Sequence, residues 1–445
     1  MPFSLASLRD TLEANLPRGA TGLVVALSGG SDSACLATAL SQMTPLRGLA
    51  LRAIHVDHGL QSAAATFREA CSALCDQLRL PLEIIDVKVA AGDGLSLEAA
   101  ARDARYRGLA RRLGRGECLL TGHHAADQAE TLLLQLIRGA GLKGLSAMPL
   151  CRELGAGWHL RPLLDTPRAE LLRFAVQAGV SAVSDPMNHD LRFDRAFLRA
   201  QLWPLLEARW PGAAATLSRA AAHLAEAQLL LDESAALAVR NLKDGEGLSV
   251  TGLRVLPAPQ RLNAVRYWLA ECGAMPPSTA RLNEALRQIS DAADDHLPCV
   301  VWGGHALRRY RDRVFVTPAR PARLEAVREW PVGVGSTLAL GAGLGVLSWT
   351  TRRGGLDAAR LPKRVTVRRR RGGESLKPHR LATTQSLQHL CQSRGVLPWM
   401  RDALPLLFAG GTLVAIGDLW QDAGWSVPQG TMGLGVVWEE APLLV

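Results

Sequence analysis

Through the first 150 residues, short apolar runs alternate with longer stretches in which apolar residues recur at helical spacing. The runs are "GLVVALS" (22–28), "LRAIHVDHG" (51–59), "LEIIDVK" (82–88) and "ECLLTGHH" (117–124). Runs this short, bounded by polar turns, predict buried strands. Between them, "ACLATALSQM", "AATFREACSALCDQL", "SLEAAARDARYRGLARRL" and "DQAETLLLQLIRG" predict helices. The alternation predicts βαβ units, and so an α/β domain whose parallel, Rossmann-like sheet is covered on both faces. Ligands of such sheets bind at the carboxyl ends of the strands. Three polar segments, "SGGSDS", "HVDHG" and "TGHHAADQ", fall at those ends.

Beyond about residue 160 the texture changes. "RPLLDTPRAELLRFAVQAG" predicts a helix opening at Thr166, with Pro167 at its first position. Residues 212–242 are rich in Ala and Leu and predict a long helix; more helices are expected over roughly 258–293 and a short β region over 296–318. From 331 onward glycine and proline are dense and short strands prevail, with one helix expected over 383–395. A chain of 445 residues is too long for one ordinary core. We expect an α/β domain over 1–210, a mostly helical domain over 211–325 and a small α+β domain over 326–445.

Composition adds two constraints. The formal net charge of +10 favours a polyanionic partner, nucleic acid ahead of membrane. The eight cysteines contain no C-x-x-C pair, which disfavours a disulfide framework, a zinc ribbon and a cysteine-held iron–sulfur site. No uncharged apolar stretch reaches the length of a membrane span, and the N-terminus lacks a basic region before an apolar core. A cytoplasmic setting is therefore expected.

The loop Ser28–Ser33 invites an anion. Gly29 and Gly30 let backbone N–H groups turn inward, Ser31 and Ser33 add hydroxyls, and a helix begins there. Asp32 would repel bare phosphate, so the residue makes sense where Mg²⁺ accompanies the phosphates. The pattern is neither a Walker A loop nor G-x-G-x-x-G; the plain alternative is a glycine turn with a serine cap. Asp127 and Glu130 are three apart, so on a helix they share a face and could hold an ammonium group. His123 and His124 stand beside them and could relay protons, or could simply close a strand end with hydrogen bonds. His55 and His58 have no evident third ligand and suit an adenosine pocket better than a metal. "PKRVTVRRRRGG" (362–373) groups Arg368, Arg369, Arg370 and Arg371, but along a strand only alternate residues meet one surface.

"SGGSDS" after an apolar strand resembles the pyrophosphate loop of the N-type ATP pyrophosphatases, the PP-loop superfamily. Within it, the stretch from Glu98 to Tyr106 (with Arg102 and Arg105), "HVDHGL" (55–60) and "TGHHAADQAETLLLQLIRGAGLKGLSAM" (121–148) resemble motifs of the tRNA(Ile)-lysidine synthetases. "RPLL" (161–164) and "SDPMNHDLRFDRAFLR" (184–199) match in part, and "RRRRGGES" and "GVLPWMRDALPLLFAGGTLVAIG" resemble that family's C-terminal domain. The chain departs from the family pattern at Ala126, Met187 and Ala196.

The resemblance implies a reaction. ATP adenylates the C2 oxygen of the wobble cytidine in the isoleucine tRNA with a CAU anticodon, pyrophosphate leaves, the ε-amine of L-lysine attacks C2, and AMP departs. It implies catalytic Asp32, Arg102 and Asp127. ATP would be held by Ser28, Gly29, Gly30, Ser31, Asp32, Ser33 and His55, with Mg²⁺ on Asp32. Asp127, Glu130, Arg105 and His124 would bind substrate, and Arg195, Arg199 and Arg368 to Arg371 would meet tRNA. Two other classes fit the same loop: a PP-loop tRNA thiolase, disfavoured because Cys35 and Cys118 are solitary in apolar surroundings, and a tRNA-binding protein that has lost catalysis. The sequence leaves the oligomeric state open, a homodimer included.

Overall fold

The computed structural model describes residues 3–43, 46–57, 64–88, 97–180, 183, 190–293 and 296–444; His58, Met187 and the side chain of Glu98 lie outside the described residues. The chain divides into two compact units, Met1–Leu231 and Asp232–Val445.

The first unit is built on a six-stranded sheet in the order β3-β2-β1-β4-β6-β5. Its strands are β1 (Gly22–Leu27), β2 (Ala50–Asp57), β3 (Leu82–Asp86), β4 (Glu117–Leu120), β5 (Cys151–Leu154) and β6 (Gly157–Leu160). All pair in parallel except β5, which runs antiparallel to β6 at the edge. Helices α1 (Leu5–Asn15), α2 (Ser31–Ser41), α3 (Ala64–Leu78), α4 (Leu97–Arg112), α5 (Ala125–Ile137), α6 (Leu142–Leu145) and α7 (Arg168–Gln177) accompany it.

Strand β1 shows why the apolar runs are continuous. Leu23, Val25 and Leu27 pack on one face with Leu8 and Leu12 of α1, Leu36 and Leu40 of α2 and Leu171 of α7. Val24 points the other way, into Ile54, Ile85, Leu119 and Leu109 of α4. Both faces are buried, so neither can be polar, and each such side chain stabilises by about 1.5–3 kcal/mol. The β5–β6 hairpin is not signalled by an apolar run: Arg152 and Glu153 are exposed on its outer strand. Helix α7 starts at Arg168, one residue later than expected, because Pro167 is extended (ψ 137°) and serves as the cap. After α7 come α8 (Asp194–Phe197), one turn of π-helix at Leu198–Leu202, α9 (Trp203–Arg209) and α10 (Ala213–Leu242), which contains the division between the units.

In the second unit, α11 (Val250–Val255), α12 (Ala258–Glu271) and α13 (Thr279–Asp291) accompany an antiparallel sheet. Its strands are β7 (Lys243–Asp244), β8 (Gly247–Ser249), β9 (Cys299–Trp302), β10 (His305–Tyr310) and β11 (Arg313–Pro318). Trp268, Leu282, Ile289 and Leu307 lie in their shared core. The remainder is antiparallel. One sheet joins β12 (Arg328–Pro331), β15 (Arg364–Arg368), β18 (Leu406–Ala409), β19 (Thr412–Ile416) and β20 (Trp420–Gln421). A second joins β13 (Thr337–Gly341), β14 (Gly345–Arg353) and β21 (Met432–Glu439), and β16 (Ser375–Leu376) pairs with β17 (Gln385–Ser386). Trp330 and Trp349 stack at 4.5 Å in this core. Helix α14 (Leu387–Arg394) is shorter than expected, since Gln385 and Ser386 belong to a strand pair and the Ser386 hydroxyl caps the helix. The expected class holds: a parallel-sheet α/β domain, a helical middle and a small α+β C-terminal region.

Candidate active site

The sheet order reverses between β1 and β4. Such a reversal leaves a crevice at the carboxyl ends, where the loops diverge to opposite faces. Two loops meet there. Gly29 adopts φ +85°, and a Cβ on it would come 2.6 Å from Phe67 Cδ1. From the β4 side, a Cβ on Gly122 would lie 2.7 Å from the Asp32 carbonyl oxygen. Only glycine permits either approach.

The loop after β1 braces itself. Ser33 Oγ receives the Ser28 N–H at 3.1 Å, donates to the Gly30 carbonyl at 3.0 Å and touches Ser28 Oγ at 3.0 Å. Helix α2 then begins on Gly30 with no side-chain cap. Its first N–H groups are thus available to an anion, and its dipole favours one. A cavity of about 250 Å³ opens beside the loop, lined by Ser28, Asp32, Ser33, His55, Arg105 and Asp127 among others. His55 is fixed by its Nδ1, 2.9 Å from the Leu27 carbonyl oxygen.

Helix α5 brings in the acidic side. His124 is its N-cap: its Nδ1 accepts the Asp127 N–H at 3.4 Å, while Asp127 Oδ2 accepts the His124 N–H at 3.1 Å. His124 Nε2 stands 3.7 Å from Asp32 Oδ2 and 3.6 Å from Asp127 Oδ2. Burial alone would lower the pKa of His124, but the close Asp32 carboxylate and the charge of Asp127 raise it on balance. Burial would likewise raise Asp32; the His124 contact, Arg168 and the Ser31 hydroxyl hold it below the usual carboxylate value.

Arg199, in the π turn, donates from Nε and NH2 to the two Glu130 oxygens at 2.6 and 2.8 Å, and from NH2 to Asp127 Oδ1 at 2.8 Å. That fork neutralises much of the charge Arg199 was expected to offer tRNA phosphate. Arg195 is nearby on α8, with NH2 3.1 Å from the Thr131 hydroxyl.

A basic side faces the acidic one. Arg102 and Arg105 lie over the Tyr106 ring at 5.1 and 5.4 Å, joined by Arg152 at 5.4 Å. Arg152 comes from the edge hairpin and was not singled out from the sequence; a lone arginine in a weak strand gives no signal. A buried chain runs behind this cluster. His123 Nδ1 is 2.8 Å from Thr121 Oγ1, which is 2.9 Å from His159 Nε2; His159 Nδ1 is 3.2 Å from Arg161 NH2. Burial, with the neighbouring arginines, pushes His159 down to about 2 and holds His123 well below its ordinary value.

The arginine run of the second unit divides. Arg368 pairs with Glu374 at 2.9 Å and lies 3.9 Å over the Phe408 ring, and Arg370 pairs with Asp402 at 2.7 Å. Arg369 and Arg371 are exposed, and neither side chain forms an ion pair among the described residues.

The residues present would suit a magnesium ion that arrives with phosphates. Asp32 offers one carboxylate, a third exposed. Among the described residues no group of three His, Cys, Asp or Glu side chains could hold a metal alone. Magnesium that takes its other ligands from phosphate and water needs no more.

A nucleotide loop at a sheet reversal, an uncapped helix start and an acid–base crevice define a PP-loop ATP-binding enzyme, and the sequence model of the PP-loop domain matches residues 5–206. Models described as the TilS substrate binding domain and the TilS substrate C-terminal domain match residues 248–315 and 365–438. The chain is 40% identical over 403 residues to a tRNA(Ile)-lysidine synthase of Alkalilimnicola ehrlichii, covering 90% of both proteins. Its identity to that of Methylococcus capsulatus is 39% over 415 residues, or 92% of this chain and 93% of the relative. For Pseudomonas aeruginosa the identity is 39% over 442 residues, covering 94% and 96%. This chain belongs to the tRNA(Ile)-lysidine synthase family of ATP-dependent ligases. No helix among the described residues is long and apolar enough to cross a membrane.

Two outcomes are expected. Gly122→Ala drives a methyl group into backbone, 2.7 Å from the Asp32 carbonyl oxygen, and weakens ATP binding about tenfold or more, roughly 1.4 kcal/mol; calorimetric titration checks this, and unchanged affinity refutes the clamp. The Asp32–His124 pair adds stability where Asp32 is ionised and His124 protonated, a state in which Nδ1 gives up the 3.4 Å contact from the Asp127 N–H. That stability is lost as pH falls through the lowered Asp32 pKa and as pH rises through the raised His124 pKa. The denaturation free-energy difference between wild type and Asp32→Asn is therefore largest between about pH 4 and 6.5; a difference independent of pH contradicts the pairing.

Proposed function

We propose that this chain ligates the ε-amine of L-lysine to C2 of the wobble cytidine in the CAU-anticodon isoleucine tRNA, through ATP-dependent adenylation of the base. The observation that carries this reading is the single cavity where Ser28, Asp32, Ser33, His55, Arg105 and Asp127 converge. Relatives matching nine-tenths of the chain are tRNA(Ile)-lysidine synthases.

The triphosphate lies along Ser28–Ser33 and the open N-terminus of α2. Asp32 would help to hold magnesium, which would supply neutralisation of phosphate charge. Attack of the C2 oxygen on the α-phosphorus releases pyrophosphate, and Arg102 and Arg105 offset the charge that develops, as preorganised cations do. The lysine ammonium docks on the acidic side. Three carboxylates, Asp32, Asp127 and Glu130, stand there with Arg199 and the His124 imidazole, and the charge of Arg168 acts on Asp32. Asp127, which lines the cavity, meets the amine; Glu130 acts through the Arg199 fork that holds Asp127. The ammonium passes a proton to Asp127, and attack of the resulting amine on C2 then expels AMP.

The thiolase reading loses support from the thiols. Burial pushes Cys35 up to about 11 and Cys118 up to about 12, so neither is a thiolate near neutral pH. We further propose functional boundaries near residues 210 and 325; the separate matched segments 5–206, 248–315 and 365–438 support them.

Incubation with ATP, labelled lysine and the CAU isoleucine tRNA should incorporate label; no incorporation at any Mg²⁺ or salt concentration overturns the proposal. Asp32→Ala is expected to abolish incorporation while filter-measured tRNA affinity stays within about twofold, and a variant with normal turnover removes Asp32 from the chemistry. For tRNA affinity, Arg369→Ala and Arg371→Ala together should flatten the log–log salt slope by about 1–2 units. Arg368→Ala, whose side chain is held by Glu374 and Phe408, should instead lower stability. Equal slopes in wild type and the double variant exclude phosphate contact by this pair.

A further inference from the structure

We infer that Arg161 and His159 set the tautomer of His123, so that the His123 ring presents Nε2–H to the crevice as a neutral hydrogen-bond donor. The argument runs along one buried chain. Arg161, His159 and Thr121 are 3%, 0% and 7% exposed. Arg161 is anchored by NH1, which donates to the Pro149 carbonyl at 2.6 Å. A guanidinium can only donate. Its NH2, 3.2 Å from His159 Nδ1, therefore requires a lone pair on that nitrogen. A neutral His159 then carries its proton on Nε2 and donates to Thr121 Oγ1 at 2.9 Å. The hydroxyl has its own proton to place, and its other partner among the described residues is His123 Nδ1 at 2.8 Å. His123 Nδ1 accepts, so the ring proton sits on Nε2.

The ring of His123 lines the cavity, and its Nε2 has no hydrogen-bond partner among the described residues. Its surroundings keep the ring neutral. Burial acts first; Asp127 pulls toward protonation, and Arg161, Arg102 and His159 oppose it. A neutral imidazole with Nε2–H cannot take a proton through that nitrogen, but it can donate to an oxygen acceptor such as a phosphate oxygen or a base carbonyl. His159 and Arg161 are positioning residues in this scheme, because they reach the crevice only through Thr121. What the donor meets rests on the reaction proposed above; the tautomer itself does not.

The test is a two-bond ¹H–¹⁵N correlation spectrum of the full chain labelled with ¹⁵N-histidine, with the His123 signals assigned by His123→Gln. The Nε2–H pattern is expected throughout about pH 5.5 to 8, the range in which an ordinary histidine titrates. An Nδ1–H pattern, or a ring that becomes doubly protonated within that range, overturns the inference. Thr121→Val cuts the chain while keeping the side-chain shape. It should give mixed His123 tautomers and a several-fold lower kcat with KM for tRNA unchanged, and Thr121→Ser should restore both. An unchanged tautomer in Thr121→Val also overturns it. Should the valine variant fail to fold, the wild-type spectrum still decides. A wild-type spectrum as expected, together with no lysine incorporation, removes the proposed reaction and leaves the tautomer device standing.

Discussion

The backbone contact between Gly122 and Asp32 governs the rest of the site. A Cβ at Gly122 would stand 2.7 Å from a carbonyl oxygen and 3.0 Å from the Ser33 nitrogen, both of them backbone atoms with little freedom to move. Because the contact forms, the loops after β1 and β4 close on each other where the sheet order reverses. The start of α2 and the capped start of α5 are thereby brought to one place. Asp32 reaches His124, His124 reaches Asp127, and Arg199 ties Asp127 to Glu130. Two glycines and the short loops around them thus hold five ionisable side chains in register.

Charge is sorted within that crevice. Carboxylates gather on the α5 side, beside Arg199, the His124 imidazole and the charge of Arg168. Guanidinium groups gather around Tyr106 on the other side, and burial with those cations keeps His123 and His159 neutral. The reaction proposed above requires that a cation and a polyanion be received together. A crevice with one acidic and one basic wall does this without either ligand having to displace the other's counter-charge. The protonation states follow from the same sorting, since carboxylates raise His124 while burial, aided by guanidiniums, lowers His159.

The second unit shows why a run of like charges is not yet a binding surface. Arg368 and Arg370 are held by Glu374 and Asp402, and the guanidinium of Arg368 lies over the Phe408 ring. Only the intervening and following residues, Arg369 and Arg371, keep exposed side chains without an ion pair among the described residues. Half the run is structural. The alternation of side chains along an extended segment makes such a division expected, but the identity of the structural half depends on where Glu374 and Asp402 fall.

The sequence by itself determined the parallel strands, the loop Ser28–Ser33 and the helix carrying Asp127 and Glu130. These are local matters: apolar runs bury as strands, a glycine turn before a helix leaves N–H groups open, and residues three apart share a helical face. It did not determine the β5–β6 hairpin, the place of Arg152 over Tyr106, or the partner of Glu130. The hairpin has no continuous apolar run, because its outer strand is exposed. Arg199 meets Glu130 and Asp127 from 69 and 72 residues away, and Arg161 acts on His123 through two other side chains. Ion pairing and tautomer choice depend on which groups lie within about 3 Å, and only the folded chain settles distances across such separations.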